Sequence, residues 1–282
     1  MRMRQSINLA CASLLGACIL LGFGCDREEF PADTPIRKNV PSTGQGTSTA
    51  PADAGAISTS VSVQAIQNRI ASWPPPAPAG EEAAIADNLF AVNYYVVLDG
   101  SGSMTGSNCS GGKSKTVVAK EALVEFASVV PANANLGLAV FDERGSVVEE
   151  RVPLGIGNRD VFIQKVNESK TDSGTPLHNA VVRGYKALVA QARRQLGYGE
   201  YILVIVTDGE PDAGQDPQSA VKNIVENSPV VVTTIGFCIG KNHALNQPGK
   251  TVYKEANNPA EVRAGLAAVL AESAEFSRVP VK

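Results

Sequence analysis

Aromatic side chains are scarce in this 282-residue chain, at 5% of the total with a single Trp. That argues against a carbohydrate cleft or a base-stacking platform, both of which rely on exposed rings. Basic blocks are missing as well. Lys and Arg total 25 against 28 Asp and Glu, for a formal net charge of -3. Phosphate affinity comes mainly from clustered Lys and Arg, so nucleic acid is excluded as a partner. Imidazole is nearly absent too, with His178 and His243 the only candidates for a His base. What remains is ample apolar material, 44% of the chain, enough for a real core.

The N-terminus has the form of an export signal. Arg2 and Arg4 precede an apolar run from Ile7 to Phe23 that is broken only by Asn8 and Ser13. The run ends at Gly24-Cys25-Asp26-Arg27, which resembles the cleavage region of a bacterial lipoprotein with Cys25 as the lipidated first residue. Gly22 stands where such signals usually carry Leu. Leu15-Gly16-Ala17-Cys18 fits better locally, but cleavage there would leave an apolar tail. An uncleaved anchor stays open, because ~17–25 apolar residues can span a bilayer. Either way, Arg2 and Arg4 stay inside and the remainder is expected on the outer side of a bacterial envelope membrane, periplasmic or at the cell surface.

The expected organisation is a signal over 1–24, a tether over 25–87, a folded domain over 88–276 and a tail over 277–282. Between Pro41 and Ser60, 17 of 20 residues are Pro, Ala, Ser, Thr or Gly, a composition that cannot offset its own ordering entropy. Val63, Ile66, Ile70 and Trp73 then form a helical stripe near 62–73, ended by Pro74-Pro75-Pro76. Such a short helix needs a surface, either the domain's flank or a partner.

From residue 88 strands alternate with helices. Ala91–Leu98, Tyr201–Val206 and Val230–Phe237 are apolar runs suited to buried parallel strands. Asn135–Phe141 and Val147–Leu154 read as a hairpin, and Thr251–Lys254 as a last short strand. Lys115–Val130, Asp160–Glu168, His178–Gln195, Ser219–Glu226 and Pro259 to about Ser273 read as helices. The fold class is therefore α/β: a doubly wound, mostly parallel six-stranded sheet, helices on both faces, one antiparallel edge strand.

Ligands of such sheets bind beyond the carboxyl ends of the strands. Three oxygen-rich loops fall there: Asp99-Gly100-Ser101-Gly102-Ser103-Met104, Asp172-Ser173-Gly174-Thr175-Pro176-Leu177 and Thr207-Asp208-Gly209-Glu210-Pro211-Asp212. An extended backbone would aim Asp99, Ser101 and Ser103 the same way. With Thr175 and Asp208 they make an all-oxygen, low-charge set suited to a hard divalent cation, Mg²⁺ above all, or Mn²⁺ or Ca²⁺.

These three motifs resemble the von Willebrand factor A family, over about Ala91 to Ala274. The resemblance implies that Asp99, Ser101, Ser103, Thr175 and Asp208 form a metal ion-dependent adhesion site. In that family the hydroxyls coordinate directly and the Asp residues directly or through water. A sixth position stays open for a Glu or Asp of a protein partner. It implies a non-enzymatic, membrane-tethered binding module for adhesion or envelope assembly. An envelope scaffold with a purely structural metal is the alternative.

Enzyme readings are weak. Ser107–Ser114 approaches the phosphate-binding loop, but Ser107 replaces its first Gly and the loop lies too far from its strand. Thr105 breaks the dinucleotide fingerprint, and Ser101 and Ser103 lack a nucleophile elbow. Cys109, Cys238 and His178 could converge on zinc, though their spacing matches no known zinc pattern. His243 reads as solvated. In an oxidising compartment the two cysteines of the exported body, Cys109 and Cys238, are expected to pair. A family-like strand order puts one strand between their starting points. Oligomeric state is not encoded legibly.

Overall fold

A computed structural model of the chain describes residues 73–80, 83–143 and 146–276. The signal, Cys25, the Pro41–Ser60 stretch and all of the 62–73 stripe except Trp73 lie outside the described residues.

Six strands form one sheet in the order β3-β2-β1-β4-β5-β6. They are β1 (Val92–Asp99), β2 (Asn135–Phe141), β3 (Glu149–Gly155), β4 (Glu200–Thr207), β5 (Val231–Phe237) and β6 (Val252–Ala256). Only the β2–β3 pair is antiparallel. β1, β2 and β4 lie inside the sheet with helices over both faces, so nearly every residue in them is buried and their sequences are continuous apolar runs.

Among the described residues five α-helices cover the faces: α1 (Lys115–Val129), α2 (Arg159–Glu168), α3 (Leu177–Arg194), α4 (Gln218–Asn227) and α5 (Pro259–Phe276). Alternation along β1 divides the core. Tyr94, Val96 and Leu98 pack with α1, α2 and α5, whereas Tyr95 and Val97 pack with α3 and α4. The sheet is six-stranded, doubly wound and antiparallel at one edge, as expected.

One boundary differs in an informative way. β3 begins at Glu149 rather than Val147, because this edge strand is solvent-facing over much of its length and gives little pattern to read. The chain from Trp73 to Asp87, apart from residues 81 and 82, lies along the end of α3. The ring of Trp73 meets Tyr201 edge-on at 5.3 Å. Arg193 donates from Nε to the Pro75 carbonyl at 3.0 Å and from Nη2 to that of Pro76 at 2.9 Å. The Ala86 amide donates to the Arg194 carbonyl at 2.8 Å.

Candidate metal centre

The carboxyl ends of β1 and β4 are neighbours in the sheet, so the loops after them meet without any long-range folding device. Asp99 ends β1 and is 1% exposed. Its Oδ1 accepts the Ser101 amide at 2.7 Å, and its Oδ2 accepts the Thr207 hydroxyl at 2.5 Å. Burial pushes its carboxyl up to about 6, although these hydrogen bonds pull the other way.

Ser101 is extended (φ -66°, ψ 161°), and beyond it the chain turns into a short 3-10 helix, Gly102–Thr105. The extended run expected through Ser103 therefore stops at Ser101. Met104 is fully buried and pulls the turn inward, and the Thr105 hydroxyl closes it on the Gly102 carbonyl at 2.7 Å. The turn still brings Ser103 Oγ to 2.9 Å from Ser101 Oγ. Ser103 Oγ also donates to Asp208 Oδ1 at 2.7 Å.

The third loop is stitched to the first by backbone. The Gly102 amide donates to the Ser173 carbonyl at 3.0 Å, and the Ser173 amide to the Gly100 carbonyl at 3.3 Å. Gly100 is required there: a Cβ on it would lie 2.4 Å from Asp142 Cβ and 2.7 Å from the Lys170 carbonyl oxygen. Thr175 follows, its amide donating to Asp212 Oδ2 at 2.8 Å. A Cβ on Gly209 would lie 3.4 Å from Ser103 Oγ and 3.5 Å from Thr175 Oγ1, so the glycine keeps the space between two hydroxyls open. The structure thus brings Asp99, Ser101, Ser103, Thr175 and Asp208 to one patch of the sheet's upper edge.

Whether a metal suits this patch follows from its donors. Two carboxylates and three hydroxyls are hard oxygen ligands, few enough in charge for Mg²⁺ or Mn²⁺. A buried carboxyl whose charged form is disfavoured is stabilised by a cation. Among the described residues there is no cluster of three or more His, Cys, Asp or Glu, so the set here counts two carboxylates and draws its other oxygens from hydroxyls. The residues fit a hard divalent ion bound largely through hydroxyls.

Several residues of the neighbourhood were not legible in the sequence. Lys115 opens α1, yet its Nζ is 2.6 Å from Asp208 Oδ2 with both side chains buried. Asp212 fixes Thr175 from within a run that was visible in the sequence as Thr207–Asp212. His243 is 6% exposed rather than solvated. Its Nδ1 accepts the Leu245 amide at 3.2 Å, which leaves Nε2 to donate to the Gly209 carbonyl at 3.0 Å.

Cys109 and Cys238 form a disulfide with Cα atoms 6.1 Å apart, which removes both thiolates from the zinc alternative. His178 faces the Asp216 carbonyl at 3.3 Å instead. The phosphate-loop alternative also loses its lysine: Lys113 pairs with Glu121 at 2.6 Å, and the Ser114 hydroxyl caps α1 by accepting the Val117 amide.

Comparison with known proteins agrees with the fold. The chain is similar to the uncharacterized protein YwmD of Bacillus subtilis (strain 168), at 29% identity over 157 residues, covering 51% of this chain and 67% of YwmD. Its fold is similar to that of the pilus adhesin SpaC from Lactobacillus rhamnosus GG, with 16% identity, TM-score 0.51, and coverage of 68% of this chain and 31% of that one. It is also similar to proximal thread matrix protein 1 of the mussel byssus, whose MIDAS motif is zinc-occupied in that structure. The identity is 18%, the TM-score 0.50, and coverage 67% of this chain and 48% of that one. This chain spans less than half of either structure, and at such identities the likeness is one of fold. The model of the von Willebrand factor type A domain matches residues 93–264, well over half of the sequence, and the chain belongs to that family.

Proposed function

We propose that this protein is an exported, membrane-tethered module that binds the Glu or Asp side chain of a protein ligand through a divalent cation. The observation that carries the reading is the linkage of Asp99, Ser101, Ser103 and Asp208 by short hydrogen bonds, with Ser103 and Thr175 flanking Gly209. When bound, the ion would supply Lewis acidity toward a ligand carboxylate. The chain's own part is to hold the hydroxyls and carboxylates in place and to hide Asp99 from water. No catalytic role is assigned. The description of one similar structure as a pilus adhesin, and of another as metal-occupied, supports adhesion or envelope assembly.

A purely structural metal is less well supported. The three loops are already joined by direct hydrogen bonds and by the Lys115–Asp208 pair, so a brace is not needed. The tether reading rests on Cys25. Cys25→Ser should abolish detergent partitioning or leave an uncleaved precursor, and unchanged partitioning and mature mass would refute it.

Titration calorimetry with Mg²⁺ and Mn²⁺ tests the site itself. Asp99→Ala should lose detectable binding while keeping its circular dichroism spectrum, because the residue is the last of β1 and the strand's apolar run ends before it. Undiminished affinity in that variant overturns the assignment.

A further inference from the structure

Lys115 has a position that nothing in the fold requires. It is the first residue of α1, where the helix dipole disfavours a positive charge, and the first turn of α1 contains no acid. Its side chain is nevertheless only 6% exposed, an unfavourable place for an ammonium group unless it is paired. Lys113, two residues earlier, takes the ordinary course and meets Glu121 at the surface. The Lys115 backbone is held by its amide donating to the Gly106 carbonyl at 2.8 Å, which turns the side chain in beneath the Ser103 turn.

There it donates to Asp208 Oδ2 at 2.6 Å, while Ser103 donates to Oδ1 of the same carboxylate at 2.7 Å. Both oxygens of Asp208 are therefore engaged by groups of this chain. Asp142 is buried as well but is neutralised by Arg151 at 2.8 Å, so the buried charges left to the site are Asp99, Asp208 and Lys115. Glu210 and Asp212 are exposed at the rim, where solvent and salt screen them.

We propose that Lys115 is a built-in counter-cation of this site. It neutralises Asp208 when no metal is bound, lowers the affinity for a divalent ion, and makes the loaded site cationic, so that an anionic ligand is favoured over a neutral one. The inference rests on the metal-binding reading above. With Lys115 the buried set sums to -1, and to +1 after a divalent ion enters. Without Lys115 the same loaded set is neutral. The lysine thus trades metal affinity for carboxylate affinity, which suits a site whose remaining ligand is an acidic side chain.

The test compares wild type, Lys115→Met and Lys115→Arg in the full chain. Met fills a similar volume without charge, and Arg keeps the charge. Mn²⁺ alone is titrated by calorimetry. Fluoroacetate then serves as a carboxylate probe, read by the broadening of its ¹⁹F signal on Mn²⁺-loaded protein.

Removing a unit charge this close to the ion should raise Mn²⁺ affinity about tenfold or more in Lys115→Met, while Lys115→Arg stays near wild type. Fluoroacetate broadening should fall in Lys115→Met at matched Mn²⁺ occupancy. Equal Mn²⁺ affinity in wild type and Lys115→Met overturns the role of Lys115 and leaves the metal site standing. Binding by Lys115→Met alone supports the counter-cation and overturns metal use by the native chain. Binding by neither overturns both. If Lys115→Met unfolds without metal because Asp208 has lost its partner, recovery of a cooperative melt in Mn²⁺ supports the proposal. If it does not recover, Lys115→Gln takes its place in the same comparison.

Discussion

Gly100 offers the sharpest check on the packing beneath the candidate site. A Cβ at this position would lie 2.4 Å from Asp142 Cβ, 2.8 Å from Asp142 Cα and 2.7 Å from the Lys170 carbonyl oxygen. None of these atoms can rotate away as the tip of a long side chain would. Asp142 is itself pinned, by Arg151 at 2.8 Å and by the Lys170 amide at 2.7 Å. Gly100→Ala must therefore move the β1 end or the residue 170–173 segment as a unit. Overpacking of this kind costs ~1–3 kcal/mol, and rigid neighbours place this case at the upper end. For a domain of this size, ~2–4 °C of melting temperature is lost per kcal/mol, so the expected drop is about 6–12 °C. The same displacement carries Ser101 away from Ser103, so Mn²⁺ affinity should fall with stability. Gly102→Ala is the control two residues away: nothing lies within 4 Å of its Cβ, and the effect should stay within about 0.5 kcal/mol. Thermal melts and calorimetry on both variants decide it. A Gly100→Ala protein melting within 2 °C of wild type would falsify the close approach on which the argument rests.

Alkaline stability provides another measurement. Burial holds Tyr95 and Tyr201 well above the usual phenol range and pushes Tyr253 up to about 12. A pKa raised in the folded state contributes stability that is complete below about pH 10 and is lost as pH rises through the folded value. Urea midpoints should therefore decline between pH 10 and 12, before the buried tyrosines of the folded protein contribute to the 295 nm tyrosinate signal; a flat profile there contradicts the burial argument. The Cys109–Cys238 bond closes a loop with a sequence separation of 129 residues. Replacing both cysteines with Ser should destabilise by about 5 kcal/mol on the chain-entropy account. Two alkylatable thiols in the untreated protein would show that the bond does not form.

Much of the architecture was legible because strands buried on both faces leave an unmistakable trace: Tyr201–Val206 has no polar residue to interrupt it. The site loops were legible for a related reason, since each follows such a run and carries hydroxyls or carboxylates at once. Lys115 was not, because a lysine opening an amphipathic helix looks like any solvated helix residue; only the Gly106 contact turns it inward. His243 was hidden in a polar loop, and its place depends on one hydrogen bond to the distant Gly209 carbonyl and one to the nearby Leu245 amide. The 3-10 turn at Gly102 was missed because Met104, one apolar residue among small polar ones, gives no periodic signal. Trp73 was recognised as part of a stripe, but its contact with Tyr201 belongs to tertiary structure alone.

The route by which the chain enters the domain sets the direction in which force would travel through it. Trp73, Pro75 and Pro76 are fastened near Tyr201, at the amino end of β4, while Asp99 and Asp208 stand at the opposite end of the strands. Over the eight residues of β1 that separation is about 23 Å. A pull between whatever precedes Trp73 and whatever grips the upper edge would run along β1, the strand hydrogen-bonded to β2 on one side and β4 on the other. Loaded lengthwise, those two ladders must slide as a whole. They share the strain across all their rungs at once, and cannot open one rung at a time as a strand peeled from the sheet's edge would.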